Sequence, residues 1–166
     1  MSYTITMSRL KTLAAVALVI SVLTLAACGN LFGPGTAAPS TADDAVQDFV
    51  TLMNQHRLAQ GLDALVWSDS LAAVAQAHSQ DMRDRDFFDH TNPDGDDPFD
   101  RMTAAGISYG YAGENIAFGY STGQSVFDGW INSPGHKANI ENGNYTHHGV
   151  GYVEDGHYWT HVFSRP

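Results

Sequence analysis

Cysteine is almost absent from this sequence: Cys28 is the only one in 166 residues. A lone thiol closes no internal disulfide. Basic residues are also scarce, with 8 Lys and Arg against 18 Asp and Glu. So acidic a surface speaks against nucleic acid and against docking on anionic lipid headgroups. The N-terminal apolar stretch, Thr12 to Ala27, has 16 residues, short of the ~20 that span a bilayer. There is no HExxH, CxxC or GxSxG and no glycine-rich phosphate loop, so the short signatures of several enzyme classes are missing.

What is present at the N-terminus is a leader. Arg9 and Lys11 precede the apolar stretch, which ends in Leu25-Ala26-Ala27-Cys28. A basic region, an apolar core and small residues before a cut make a secretory signal. The cysteine placed after them resembles the lipobox of bacterial lipoproteins. In those proteins the cysteine takes a diacylglycerol and becomes the first residue of the mature chain. Residues 1–27 are therefore expected to be removed, with Met7 an alternative start, and the membrane partner to be reached through a lipid on Cys28. Each buried methylene contributes ~0.8 kcal/mol, so two or three acyl chains hold a protein firmly. Gly29 stands where aspartate often signals inner-membrane retention, which favours the outer membrane or cell surface. Residues 28–42 form an uncharged tether rich in Gly, Pro, Ser, Thr and Ala. Residues 43–166 suffice for one domain. With Arg9 and Lys11 removed, six basic side chains face 18 acidic ones, a net charge of −12.

The domain mixes helix and strand. Thr41 is the expected cap of a helix over 43–60, with Val46, Phe49, Val50 and Met53 at helical spacing. Ser68 or Asp69 caps a second helix reaching about Arg83, and Asp97-Pro98 starts a third that stops at Gly106. Ser121 or Thr122 begins a fourth, with Val126, Phe127 and Trp130 inward. Two alternating segments flank Asp155-Gly156, a hairpin signal.

Eight histidines are many, and only His56 precedes residue 78. His90 follows Phe87-Phe88-Asp89, Glu114 lies in Gly113-Glu114-Asn115-Ile116, and His136 lies in Trp130-Ile131-Asn132-Ser133-Pro134-Gly135-His136. A carboxylate among glycine and apolar residues suggests a partly buried site that needs partners, and histidines can supply them or share a metal with it. With Gly149-Val150-Gly151-Tyr152 and Tyr158-Trp159-Thr160-His161-Val162-Phe163, these segments resemble, in order over roughly 44–164, a bacterial member of the CAP (SCP-like) superfamily. Asn54, Arg57, Gly61-Leu62 and Trp67-Ser68 fit its first two helices.

The resemblance implies an α+β fold, an α-β-α sandwich with a small antiparallel sheet flanked by helices. It implies a cleft in which two histidines and two acids bind zinc or another divalent cation in some members. His90, Glu114 and His136 match three of those positions; the second acid is replaced by Ser133. These three are the candidates for a catalytic or metal role, with zinc or calcium as the cation, and Cys28 is the candidate for lipidation. A hydrogen-bonded network that staples loops to the sheet is the plainer reading. The expected function is a monomeric binding module at the cell envelope, taking a small molecule, lipid or protein in its cleft. A metal-assisted hydrolase and a structural envelope protein are the alternatives. Elsewhere, His78 reads as a core histidine, His147 and His148 as edge-strand residues, and His157 as exposed in its turn. His161 stands where relatives often have Gln and is a candidate to face the cleft. Tyr109, Tyr111, Trp130 and Trp159 read as core or cleft wall, and the aspartates of 94–100 as a solvated loop rather than a calcium site.

Overall fold

The computed structural model describes residues 42–166. Cys28, the leader, the tether before Ala42 and the cap Thr41 lie outside them. Helix α1, Ala42–Ala59, buries Ala45, Phe49, Met53 and Arg57 along one stripe. It ends where Gly61 adopts φ +76°. Helix α2, Asp69–Asp84, is capped by the Ser68 hydroxyl, which accepts from the Leu71 N–H. Helix α3, Pro98–Ala104, starts from a capping box: Asp97 accepts from the Asp100 N–H, and Asp100 accepts from the Asp97 N–H. Helix α4, Gly123–Ile131, is capped by Thr122. A fifth helix, α5 over Pro134–Ile140, goes beyond the sequence reading. Pro134 can donate no hydrogen bond, so it opens a new helix after α4 stops.

Four strands complete the domain: β1 (Val66–Trp67), β2 (Tyr111–Phe118), β3 (His147–Val153) and β4 (Tyr158–Arg165), in the order β1-β3-β4-β2. The three long strands are antiparallel, and β1 adds a two-residue parallel pairing at the β3 edge. The β3–β4 turn is Glu154–His157, with positive φ at Gly156 and His157. His157 is half-buried in that turn rather than exposed, because its Nδ1 lies 2.7 Å from the Tyr152 hydroxyl and the two rings stack.

Helices lie on both faces of the sheet. Phe49, Met53, Val126, Trp130, Trp159 and Phe163 anchor the larger core between α1, α4 and the sheet. Leu71, Val74, Ala75, Met102 and Val162 form the smaller one beneath α2 and α3. Tyr109 packs against this second core, whereas Tyr111 is exposed rather than part of the core. The Gly149-Val150-Gly151 motif has a plain cause. A Cβ at Gly149 would fall on the backbone of Leu71 and Ala72, and one at Gly151 on that of Ala75 and Gln76. The two glycines let α2 lie directly on β3.

Strand β2 is the free edge on its side of the sheet. Its carbonyls at Ala112, Glu114 and Ile116 point away from β4. Each is covered by a side chain: the Tyr145 hydroxyl donates to Ala112, Asn139 Nδ2 to Glu114, and Trp130 Nε1 to Ile116, all at 3.2 Å. An edge closed in this way offers little to a pairing strand.

His148 and His161 depart from expectation. His148 lies not on an edge but between β1 and β4, fully buried, and His161 faces the larger core rather than a cleft. Their rings meet through Nδ1 of His148 and Nε2 of His161 at 3.0 Å. Burial lowers the pKa of His148 to about 4, with Arg57 and His147 adding to the effect, and burial also holds His161 well below the ordinary value.

Two outcomes follow from the packing. Gly151→Ala should cost about 3 kcal/mol through overpacking, read as a lower urea midpoint; an unchanged midpoint would show that α2 can lift off β3. The unfolded chain protonates His148 near pH 6.5 and the folded one only near 4. Stability is therefore complete above that window and is lost as pH falls through it, by about 3 kcal/mol from His148. His161→Gln, which keeps a partner for His148, should lose less stability between pH 7 and pH 4 than the parent does.

Candidate functional site

Glu114 pairs across the sheet with Val162, so its side chain enters the α2–α3 side. There its carboxylate is 1% exposed. One oxygen, Oε1, lies 2.8 Å from His90 Nδ1, and Oε2 accepts from Arg101 Nη2 at 2.8 Å. His78 Nε2 stands 4.0 Å from Oε1 and 3.0 Å from the Asp89 carbonyl. A carbonyl only accepts, so His78 carries its proton on Nε2. The same logic places the His90 proton on Nδ1, leaving Nε2 as the free lone pair of a ring that is 48% exposed.

Arg101 is the residue that motif reading missed. It sits in α3, one turn beyond the Asp97 N-cap, and its Nη1 also donates to the carbonyls of His90 and Asp96. One guanidinium thus ties helix α3, the loop before it and strand β2 together. The available signal was its rarity, one of few basic residues amid a run of aspartates. His78 is buried as expected, bonded to the Asp89 carbonyl and a neighbour of Glu114. Burial lowers its pKa most, against the upward pull of Glu114.

His136 stands on α5, across the β2 edge. Asn115 Nδ2 donates to its backbone carbonyl at 3.0 Å, and Asn139 Nδ2 donates to Asn115 Oδ1 at 2.8 Å. Its ring lies 6.3 Å from that of Trp130. Burial, then the nearness of His90, lowers its pKa. Within the described residues its ring bonds neither Glu114 nor His90, so the structure joins two of the three expected site residues directly. Ser133, at the position of the missing acid, is the N-cap of α5 and makes no side-chain cap bond.

The donor set does not fit the zinc or calcium that the resemblance implies. Among the described residues no group of three or more His, Cys, Asp or Glu side chains could hold a metal ion. Both oxygens of Glu114 are engaged, one of them by a permanent cation. In the 94–100 loop the aspartates serve the backbone and neighbouring side chains: Asp97 caps α3, Asp94 pairs with Arg85, and Asn92 donates to Asp96.

Breaking a buried pair from one side strands the other charge. Arg101→Met should therefore cost about 3 kcal/mol, whereas His90→Ala, at a half-exposed ring, should cost under about 1 kcal/mol. Urea midpoints of the two variants decide; equal losses would remove Arg101 from its central place.

The comparisons agree with this architecture. The chain is 48% identical over 128 residues to the uncharacterized protein YkwD of Bacillus subtilis, covering 77% of this chain and 50% of that protein. It is 37% identical over 119 residues to the uncharacterized membrane protein YlbC of the same organism, covering 72% of this chain and 34% of that one. The chain thus spans half the length of the first curated relative and a third of the second. An extracellular protein containing a SCP domain from Bacillus anthracis superposes with TM-score 0.70 at 34% identity, over 78% of this chain and 45% of that one. An outer surface protein from Borrelia burgdorferi superposes with TM-score 0.71 at 21% identity, over 76% of this chain and 96% of that one, and shares the fold. The model of the CAP, or cysteine-rich secretory protein, family matches residues 50–164, and the chain belongs to that family.

Proposed function

We propose that the protein is an exported CAP domain, tethered to the cell envelope by a lipid on Cys28, that works by binding a ligand or partner rather than by hydrolysis. The observation that carries the second half is the state of Glu114. In a metal-assisted hydrolase Glu114 would hold the metal-bound water, and this carboxylate is buried with one oxygen on Arg101 and the other on His90, which leaves it only to orient the His90 ring. His90 remains half-exposed with a free Nε2, but among the described residues no serine hydroxyl is hydrogen-bonded to it. Such a ring suits recognition of a hydrogen-bond donor in a bound molecule. Export is supported by the leader in residues 1–27, and by relatives described as extracellular and as an outer surface protein. Among the described residues no helix is long and apolar enough to cross a membrane, so the proposed attachment rests on Cys28.

Cys28→Ser in the full chain should move the protein from the membrane fraction to the soluble fraction with its melting temperature unchanged. Retention in the membrane fraction, or failure to fold, would sink the anchor. Mass spectrometry of what is extracted with the native protein tests binding: a bound small molecule that His90→Ala no longer retains supports it. Hydrolysis of peptide, ester or glycan substrates that is lost in His90→Ala would restore the hydrolase reading.

A further inference from the structure

Helix α1 runs against β3 in the opposite direction. Near its C-terminal end, Asn54 bonds the backbone of Leu65, and the Val66 N–H donates to the carbonyl of Thr146, just before β3 begins. Near its N-terminal end, Ala42 and Tyr152 line one groove, and Tyr152 is next to last in β3. Ala45 lies against Gly123, soon after β2 has ended at Phe118. Ala42 therefore sits at the end of the sheet where β3 turns into β4 and β2 stops. From there residues 28–41, 14 in all, lead back to Cys28, a reach of about 20 Å for a flexible coil.

That same end carries rings in solvent. Phe118 is 52% exposed and Phe88 51%. The Phe118 ring lies 6.2 Å from that of Phe88 and 4.7 Å from that of Tyr158. Tyr120, also exposed, follows two residues on. Tyr158 keeps its place because Gly156 has no side chain; a Cβ there would press on its ring. Three segments, the loop after α2, the end of β2 and the start of β4, thus bring aromatic rings together outside both cores. Single exposed apolar side chains are ordinary, but a contiguous group of them marks a contact surface.

Two observations name what meets it. The first is the exit of the chain at Ala42, which turns this end toward whatever holds Cys28. The second is charge. Asp86 shares the loop with Phe88, and Glu154 and Asp155 stand in the turn before Tyr158. Arg83, the basic residue at this end, is paired with Asp84 and Asp155. Aromatic faces and carboxylates both suit an ammonium group, and carboxylates repel anionic headgroups. Aromatic side chains also settle at the headgroup level of a bilayer.

We infer that this end of the domain docks on a zwitterionic lipid surface, with Phe88, Phe118 and Tyr158 entering the headgroup layer. Docking rests on the proposed anchor at Cys28, because three rings alone hold a bilayer weakly and the tether supplies their local concentration.

The test supplies the anchor chemically, so its failure is separate from failure of natural lipidation, which fractionation of Cys28→Ser decides. The full chain is coupled through Cys28, its only cysteine, to a maleimide-bearing lipid in vesicles of phosphatidylcholine brominated on its acyl chains. Tyr111 provides the control: it is 51% exposed and begins the strand that Phe118 ends, about 20 Å away. In Phe118→Trp the added indole should lose fluorescence to the bromines and shift to the blue. In Tyr111→Trp it should do neither. Phe88→Trp takes the place of Phe118→Trp if that variant does not fold. Phosphatidylglycerol mixed into the vesicles should lessen the quenching, most of all at low salt. Equal quenching at both ends of β2, or none at either, would overturn the docking, as would stronger quenching on anionic vesicles. A blue shift at position 118 that grows with protein concentration and needs no vesicle would also overturn it, since a second copy would then be covering the rings.

Discussion

Glu114 and Arg101 meet at 2.8 Å in the interior of an acidic protein, and much of the domain's order is arranged around that contact. Desolvating two opposite charges costs several kcal/mol per ion before their attraction is counted. The arrangement offsets that cost with hydrogen bonds at both ends. His90 Nδ1–H supplies a second bond to the carboxylate, and two backbone carbonyls accept from the guanidinium. Those carbonyls belong to His90 and Asp96, within the long loop between α2 and α3. The ion pair therefore seats that loop as well as two charges. It also fixes where β2 lies beneath α3, because Glu114 is a strand residue and Arg101 a helix residue.

A family named for cysteines is here represented by a chain whose only cysteine lies outside the folded domain. Polar side chains make the closures instead. Arg57, 1% exposed, donates to the carbonyls of Asp63, Ile140 and Asn142. It thereby binds the end of α1 to the end of α5, 83 residues away in sequence for Ile140. Burial lowers its pKa, but a guanidinium stays charged, and its bonds run to carbonyl dipoles. Asn54 imitates a strand against Leu65, donating to its carbonyl and accepting from its N–H. The covered edge of β2 completes the pattern. Residues Trp130, Asn139 and Tyr145 come from three different segments and end on alternate carbonyls of one strand.

What the sequence made legible was largely local. Caps at Ser68, Asp97 and Thr122, the Pro98 start and the Asp155-Gly156 turn depend on a few adjacent residues, and each formed where its chemistry predicts. The motif resemblance carried the fold and the His90–Glu114 pair. What stayed hidden was long-range. Arg101 is 13 residues from its carboxylate, and nothing in the local pattern distinguishes a buried arginine from a solvated one. Gly149 and Gly151 could be quoted as a motif, but their purpose appears only when α2 is laid against them. His148 and His161 alternate like ordinary strand residues; that both point into apolar core follows from the strand order, which periodicity does not encode. His157 departs from expectation because turn residues are usually solvated, and here a tyrosine shortly before the turn folds over it.

The same constraint bears on what the cluster can do. Protonating Glu114 would strand Arg101 among buried atoms, so the carboxylate is poorly suited to cycle during a reaction. Replacing a buried ion pair by apolar residues is often neutral or stabilising, so stability alone is a weak reason for its presence here. Its specific consequence is orientation. With Nδ1–H committed to Glu114, His90 is held in one tautomer and one ring position, and only Nε2 is left to meet other molecules. Near the same oxygen, 4.0 Å from Oε1, His78 is held in the opposite tautomer by the Asp89 carbonyl, and its Nδ1 is the atom left over. The two imidazoles near this one carboxylate thus differ in their unused nitrogens, Nε2 on the half-exposed ring of His90 and Nδ1 on the buried ring of His78. The cluster thereby fixes the tautomers and ring positions of two imidazoles around one buried carboxylate.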